Sequence, residues 1–118
     1  MKLEEFLMHQ TDIVPLPVGH TLFSEGEYGD SMYVLMSGKA DVMIRGKVVE
    51  TLEVGQIVGE LAIVDNAPRA ATLVAREDCN LIAINAMKFR ELTAENPEFA
   101  LTVMRAMAHR LRNLGKLL

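Results

Sequence analysis

Residues 59–72 decide the interpretation of this chain and read Gly59-Glu60-Leu61-Ala62-Ile63-Val64-Asp65-Asn66-Ala67-Pro68-Arg69-Ala70-Ala71-Thr72. A helix that begins at Glu60 leaves its first backbone N–H groups without intrahelical partners. Those donors and the helix dipole together favour an anion. The turn at Pro68 then brings Arg69 back beside the helix start, where its guanidinium offers a planar fork for two phosphate oxygens.

Glu60 adds a second kind of chemistry to the same place. A carboxylate repels phosphate, but it accepts a hydrogen bond from a sugar hydroxyl. Arg69 and the amides for phosphate, with Glu60 for ribose, indicate a nucleotide site. The alternative is that Glu60 is a first-turn residue favoured by the helix dipole and that Arg69 is a solvated loop charge.

The quoted stretch closely resembles the phosphate-binding cassette of cyclic nucleotide-binding domains. Those domains occur in regulatory subunits of cAMP-dependent protein kinase, in cyclic nucleotide-gated channels and in catabolite-activator-type regulators. The resemblance implies that Glu60 binds the ribose 2′-hydroxyl and Arg69 the cyclic phosphate. It places Gly59, Leu61 and Ala62 on the helix-start backbone, with Ala70 and Ala71 beside the arginine. Residues 26–38, Gly-x-x-Gly-Asp-Ser-Met-Tyr-Val-Leu-x-Ser-Gly, resemble the preceding strand pair of the same family.

From Thr21 onward, glycines at 26, 29, 38, 46, 55 and 59 separate short apolar segments, and two further strand candidates follow residues 59–72. Turns at 37–39 and 45–47 each lie between two β-prone runs, as in hairpins. Such punctuation is typical of a sandwich or barrel. We therefore expect a mainly β, jelly-roll-like β-roll of about eight antiparallel strands over residues 12–85, preceded by a short helix at 2–9. The expected strands include 13–16, 21–23, 32–36, 40–45, 48–52, 72–75 and 81–85.

The last third of the chain has helical periodicity, with helices expected over 86–118. A break at Asn96-Pro97 is followed by an apolar stripe with steps of four and three, typical of a helix seam. We expect this helix, 97–118, to cover the site and to form a homodimer contact; the alternative is packing on its own β-roll only. Basic residues are expected on its solvated outer face without DNA contact. The stripe is Ala100, Met104, Met107, Leu111, Leu114 and Leu118, and the basic residues are Arg105, Arg110, Arg112 and Lys116.

Composition excludes several classes of function. The 118 residues carry a formal net charge of −4, which indicates no general nucleic-acid or membrane surface. The lone Cys79 excludes an internal disulfide, and the three histidines lie too far apart in sequence for a metal motif. No run of about 20 apolar residues is present to span a bilayer. We expect a cytoplasmic protein without a metal.

The combined prediction is a single domain, residues 1–118, that senses a cyclic nucleotide without catalysis. The expected ligand is cAMP, with cGMP weaker because Ala70 offers no hydroxyl to guanine, and the effector protein is unknown. The bacterial activator's adenine-binding Thr-Ser pair corresponds to Leu114 and Gly115 here. Base recognition is then either apolar, through Leu111 or Leu114, or polar, through Asn113. The alternatives are a ligand-free β-roll interaction module, or the sensor part of a catabolite-activator-type regulator lacking its helix-turn-helix.

Overall fold

The computed structural model describes residues 13–117, with side chains for 13–112; the helix expected at 2–9 lies outside the described residues. Within residues 13–117 there are eight strands and three helices, one of which lies between two strands and two of which follow the last strand. The strands are β1 (Ile13–Leu16), β2 (Thr21–Phe23), β3 (Ser31–Ser37), β4 (Ala40–Ile44), β5 (Lys47–Leu52), β6 (Ile57–Val58), β7 (Thr72–Ala75) and β8 (Cys79–Asn85). The helices are α1 (Leu61–Val64), α2 (Ala86–Glu95) and α3 (Glu98–Leu117).

The strands form two four-stranded sheets with every pairing antiparallel. One sheet has the order β1-β8-β3-β6 and the other β2-β7-β4-β5. Strands distant in sequence are thus neighbours, as in Val34 opposite Ile82 and Val42 opposite Leu73. The mainly β fold with C-terminal helices confirms the prediction.

The strand boundaries follow from local turn chemistry. Arg45 and Gly46 both have positive φ, 52° and 78°, as a tight two-residue hairpin requires. Strand β4 therefore ends at Ile44, one residue before the predicted end. The short strand β6 was not predicted, because two residues are too few to show a period of two.

Two groups of buried side chains hold the layers together. One fills the space between the sheets, and the other joins the first sheet to α3. The first group includes Phe23, Leu35, Leu52, Leu73 and Leu81. The second includes Met32, Ile57, Ile84, Phe99 and Val103.

Phe99 and Val103 are 0% and 2% exposed and fasten α3 to the sheet. Burying such a side chain contributes about 1.5–3 kcal/mol. The packing face of α3 is therefore rotated from the predicted stripe. Met107 is half-buried, whereas Met104 and Leu111 are 57% and 68% exposed, so these two residues do not support the alternative in which the stripe packs on the roll alone.

Candidate functional site

The stretch 59–72 links strand β6 to strand β7 through one helical turn. Glu60 is the N-cap residue of α1, which is four residues long, and its side chain makes no capping hydrogen bond. Asn66 has φ of 47° and reverses the chain direction. The main chain of Arg69 is then held by a neighbouring loop. Its N–H donates to the Glu27 carbonyl at 2.7 Å, and its carbonyl accepts from the Gly26 N–H at 2.8 Å. The arginine therefore leaves the loop at a fixed point.

Arg69 is a buried cation, only 7% exposed. Its Nη1 donates to the Gly59 carbonyl at 3.3 Å, and its guanidinium carbon lies 4.3 Å from the centre of the Phe23 ring and 5.8 Å from that of Tyr33. Among the described residues no carboxylate forms an ion pair with it. A desolvated guanidinium held in this way is a receptor for an anion.

Glu60 is a buried carboxylate beside that cation, 2% exposed. Its Oε1 accepts from Arg110 Nη1 of α3, and its Oε2 is buried with no hydrogen-bond partner in the described part of the chain. Buried carboxylate oxygens need donors. The free acceptor Oε2 fits a hydroxyl group of a ligand.

The environment of Arg110 differs from the one predicted from the sequence. This residue was expected on the solvated face of the last helix, but its side chain is only 23% exposed. It donates to Glu60, to the Ile57 carbonyl through Nη2, and to Glu50 Oε2 at 3.4 Å through Nε. One guanidinium therefore ties α3 to strands β5 and β6 and to the start of α1. No sequence signal identifies this contact, because its partners lie 50 or more residues away.

These side chains line one cavity of about 280 Å³ between the second sheet, α1 and α3. That volume is near the lower end of the roughly 300–1,000 Å³ usual for small-molecule sites. All seven residues predicted for phosphate and ribose line it, and so does Leu111. They are Gly59, Glu60, Leu61, Ala62, Arg69, Ala70 and Ala71. The side chains of Asn113 and Leu114 lie outside the described residues.

The cavity lining has a polar part and an apolar part. Arg69 and Glu60 belong to the polar part, and the apolar part includes Val42, Ile44, Val49, Met107 and Leu111. The Ala62 N–H, expected to face an anion, donates to the Gly59 carbonyl at 3.2 Å. The single turn of α1 therefore uses one of its own early amides internally.

The described residues contain neither a metal-binding cluster nor a helix that could span a membrane. No group of three or more His, Cys, Asp or Glu is arranged there to hold a metal ion. None of the helices described there has both the length and the apolar character to cross a membrane.

The chain is similar in sequence and in fold to known proteins. The family profile of the cyclic nucleotide-binding domain matches residues 13–96. The chain is 41% identical over 76 residues to Rap guanine nucleotide exchange factor 3 of Homo sapiens, covering 63% of this chain and 8% of that protein. It is 31% identical over 111 residues to the CRP-like cAMP-activated global transcriptional regulator of Mycobacterium tuberculosis, covering 90% and 50%.

A solved structure of cAMP-bound PfPKA-R has the same fold. It superposes with a TM-score of 0.78 at 30% identity, covering 89% of this chain and 36% of that one. The chain thus spans half or less of the length of each relative named here. The match over residues 13–96 includes both sheets and the whole cassette. The chain belongs to the cyclic nucleotide-binding domain family.

Proposed function

We propose that this domain binds cAMP in the cavity and acts as a regulatory sensor without catalysis. The observation that carries the proposal is the pair of buried charged groups, Arg69 and Glu60, in the cavity lining. Arg69 is a buried cation without a described carboxylate partner, and Glu60 presents a buried acceptor without a donor. A cyclic phosphate next to a ribose hydroxyl satisfies both groups at once.

In this proposal the phosphate binds the guanidinium of Arg69. The single negative charge of a cyclic phosphodiester balances the single positive charge of that side chain, so the buried pair is neutral overall. Backbone groups of Gly59, Leu61, Ala62, Ala70 and Ala71 surround the phosphate and ribose. The ribose 2′-hydroxyl donates to Glu60 Oε2, while Oε1 keeps its contact with Arg110.

The purine contacts the apolar part of the lining in this proposal. Val42, Ile44 and Val49 of the second sheet line the same cavity as Met107 and Leu111 of α3. Such a lining favours a flat aromatic ring. The carboxylates of Glu50 and Glu60 both contact Arg110, so each is assigned to binding or to structure, and no catalytic step is proposed.

Arg69 gives the direct test of the site. Replacing Arg69 with Ala should weaken cAMP binding by roughly 2–5 kcal/mol, because the phosphate loses its charged partner in a desolvated place. Arg69→Lys should also bind weakly, since an ammonium lacks the planar fork. Calorimetric titration of each variant with cAMP measures the change.

Arg76→Ala is the matched control for that titration. Arg76 is 52% exposed and pairs with Asp41 away from the cavity, so its loss should leave cAMP affinity unchanged. Binding of cAMP by Arg69→Ala within about threefold of wild type would contradict the site assignment. A wild-type chain that binds neither cAMP nor cGMP would support a ligand-free interaction module.

Base preference forms a separate part of the proposal. Ala70 lines the cavity next to Arg69 and has no hydroxyl to accept from the guanine 2-amino group. Ala70→Thr should strengthen cGMP binding several-fold, since one added hydrogen bond contributes about 0.5–1.5 kcal/mol. It should change cAMP binding little, and Ala70→Val, similar in shape without the hydroxyl, is the control. Equal affinity of the wild-type chain for the two nucleotides would contradict the preference.

The proposed output is a change in α3 that an effector protein detects. α3 both lines the cavity and exposes apolar side chains, so nucleotide and partner can act on one element. The partner proposed for the exposed face is a second copy of the chain in the cytoplasm, joined through residues 97–118. Direct DNA contact is not part of the proposal.

A further inference from the structure

Gly29, in the loop between β2 and β3, lies directly against the guanidinium of Arg69. A Cβ atom built at this position would be 2.2 Å from Arg69 Nη2 and 2.7 Å from both Cζ and Nε. Contacts under 3.0 Å do not occur between real atoms of this kind, so the guanidinium must move if Gly29 gains a methyl group.

The backbone of Gly29 does not itself require glycine. Its φ is outside the left-handed region, unlike those of Gly26 and Gly46, which have φ of 89° and 78° and no atom within 4 Å of a built Cβ. Gly26 and Gly46 are therefore explained by turn conformation. Glycine is needed at position 29 because the guanidinium of Arg69 occupies the space that a Cβ atom would take.

Two further sides of the guanidinium are also closed. A Cβ on Gly59 would lie 2.5 Å from Nη1, and the Phe23 ring covers one face at 4.3 Å. The two main-chain hydrogen bonds of Arg69, to Gly26 and Glu27, fix where the side chain starts. The guanidinium thus lies in a slot bounded by two glycines and an aromatic ring, and the absence of a side chain at Gly29 sets its position along that slot.

We propose that Gly29 is a positioning residue for the anion ligand of this domain, acting through Arg69 without touching the nucleotide. The inference rests on the proposed function, in which Arg69 binds the cyclic phosphate. Because the group that must move is the end of a flexible side chain, Gly29→Ala should fold and should present a displaced guanidinium.

The binding test compares Gly29→Ala with Gly46→Ala. Gly29→Ala should weaken cAMP binding about tenfold or more, since a bidentate contact depends on the position of the fork. Its melting temperature without ligand should stay close to that of wild type. Gly46→Ala forces a strained turn and should lower the melting temperature while leaving cAMP affinity unchanged.

A second measurement needs no ligand, so its result is independent of whether the chain binds cAMP. The Phe23 ring shifts the NMR resonances of protons beneath its face. Gly29→Ala should change the Nε–H and δ-proton resonances of Arg69, and Gly46→Ala should leave them in place. Unchanged Arg69 resonances in Gly29→Ala, or cAMP affinity within about threefold of a binding wild type, would overturn the inference.

If Gly29→Ala fails to fold, the double variant Gly29→Ala/Arg69→Ala decides the matter. Removing the Arg69 side chain removes the contact, so the double variant should fold if the clash with Arg69 is the cause. A double variant that stays unfolded would overturn the inference. A wild-type chain that binds no nucleotide would refute the proposed function alone, because the resonances still report the slot.

Discussion

At the scale of single residues, two carboxylates share one guanidinium. The Glu60 side chain is 3% exposed, that of Glu50 15% and that of Arg110 23%, so the contact between Glu60 and Arg110 is the more buried of the two. A buried ion pair adds little over an apolar pair of the same shape, yet removing one partner leaves a desolvated charge. The main effect expected on removing Arg110 is therefore the unpaired, buried charge of Glu60 that remains.

Arg110→Met should lower the free energy of unfolding by about 3–5 kcal/mol, because Glu60 then keeps a buried charge without a cation. The double variant Arg110→Met/Glu60→Gln should recover part of that loss, since the side chain at position 60 then carries no charge. Urea denaturation of the single and double variants measures both effects. A double variant no more stable than Arg110→Met would show that the pair is not the source of the stability.

The position of Arg69 and Glu60 in one cavity could be predicted from the sequence because one short stretch contains both residues. Residues 59–72 fix their spacing, and the turn at Pro68 fixes their return to each other. Arg110 could not be predicted, because helical periodicity places a charged residue on the outer face unless its partner is known. Its partners Glu50 and Glu60 lie 60 and 50 residues earlier.

At the scale of elements, α3 connects the cavity to the exterior. A helix of 20 residues is marginal alone in water, and here Phe99 and Val103 supply its packing. Its sides differ, because Arg110 and Met107 face the cavity while Met104 and Leu101 are exposed. Leu111 lines the cavity mouth and is 68% exposed, so it belongs to both sides.

Leu111→Glu should abolish a dimer formed through α3, because a charge would enter an apolar contact. Sedimentation over a range of concentrations should show wild-type dimers and monomeric Leu111→Glu. Met87→Glu is the control, since Met87 is equally exposed, at 69%, but lies on α2. Wild-type chain that remains monomeric at all concentrations would contradict the dimer.

Helices and strands could be predicted where the sequence has a regular hydrophobic period or where turn and capping residues mark their ends. The Asn85 side chain accepts from the Lys88 N–H at 2.8 Å, which explains why α2 begins at Ala86 as predicted. The packing face of α3 could not be predicted from the sequence, because Leu and Met on both sides of Val103 satisfy a heptad pattern equally well. Tertiary packing on Met32 and Ile84 selected the actual face.

At the scale of the whole molecule, the two sheets enclose one core that contains a titratable group. Cys79 is 3% exposed at the start of β8, and its thiol contacts the carbonyls of Lys39 and Glu77. Burial raises the pKa of the Cys79 thiol above its usual range. The folded chain therefore favours the neutral thiol.

This shift predicts a loss of stability at alkaline pH. Below the unfolded thiol pKa, about 8.5, both states are protonated and the group adds no pH dependence. As pH rises above it, the unfolded chain releases the proton first, so the free energy of unfolding falls until the folded thiol also ionises. Urea denaturation between pH 7 and 10 should show a steeper fall for wild type than for Cys79→Ala. Parallel curves would contradict the assignment.

Under the proposed function, the double role of Arg110 would set the concentration of nucleotide at which the domain responds. The same side chain fastens α3 and holds one oxygen of the carboxylate assigned to ribose. When only a fraction of molecules has that carboxylate in the competent orientation, the apparent dissociation constant rises in inverse proportion to the fraction. Substitutions on α3 outside the cavity lining that bias its docking would therefore move the response threshold without altering any atom that touches the nucleotide.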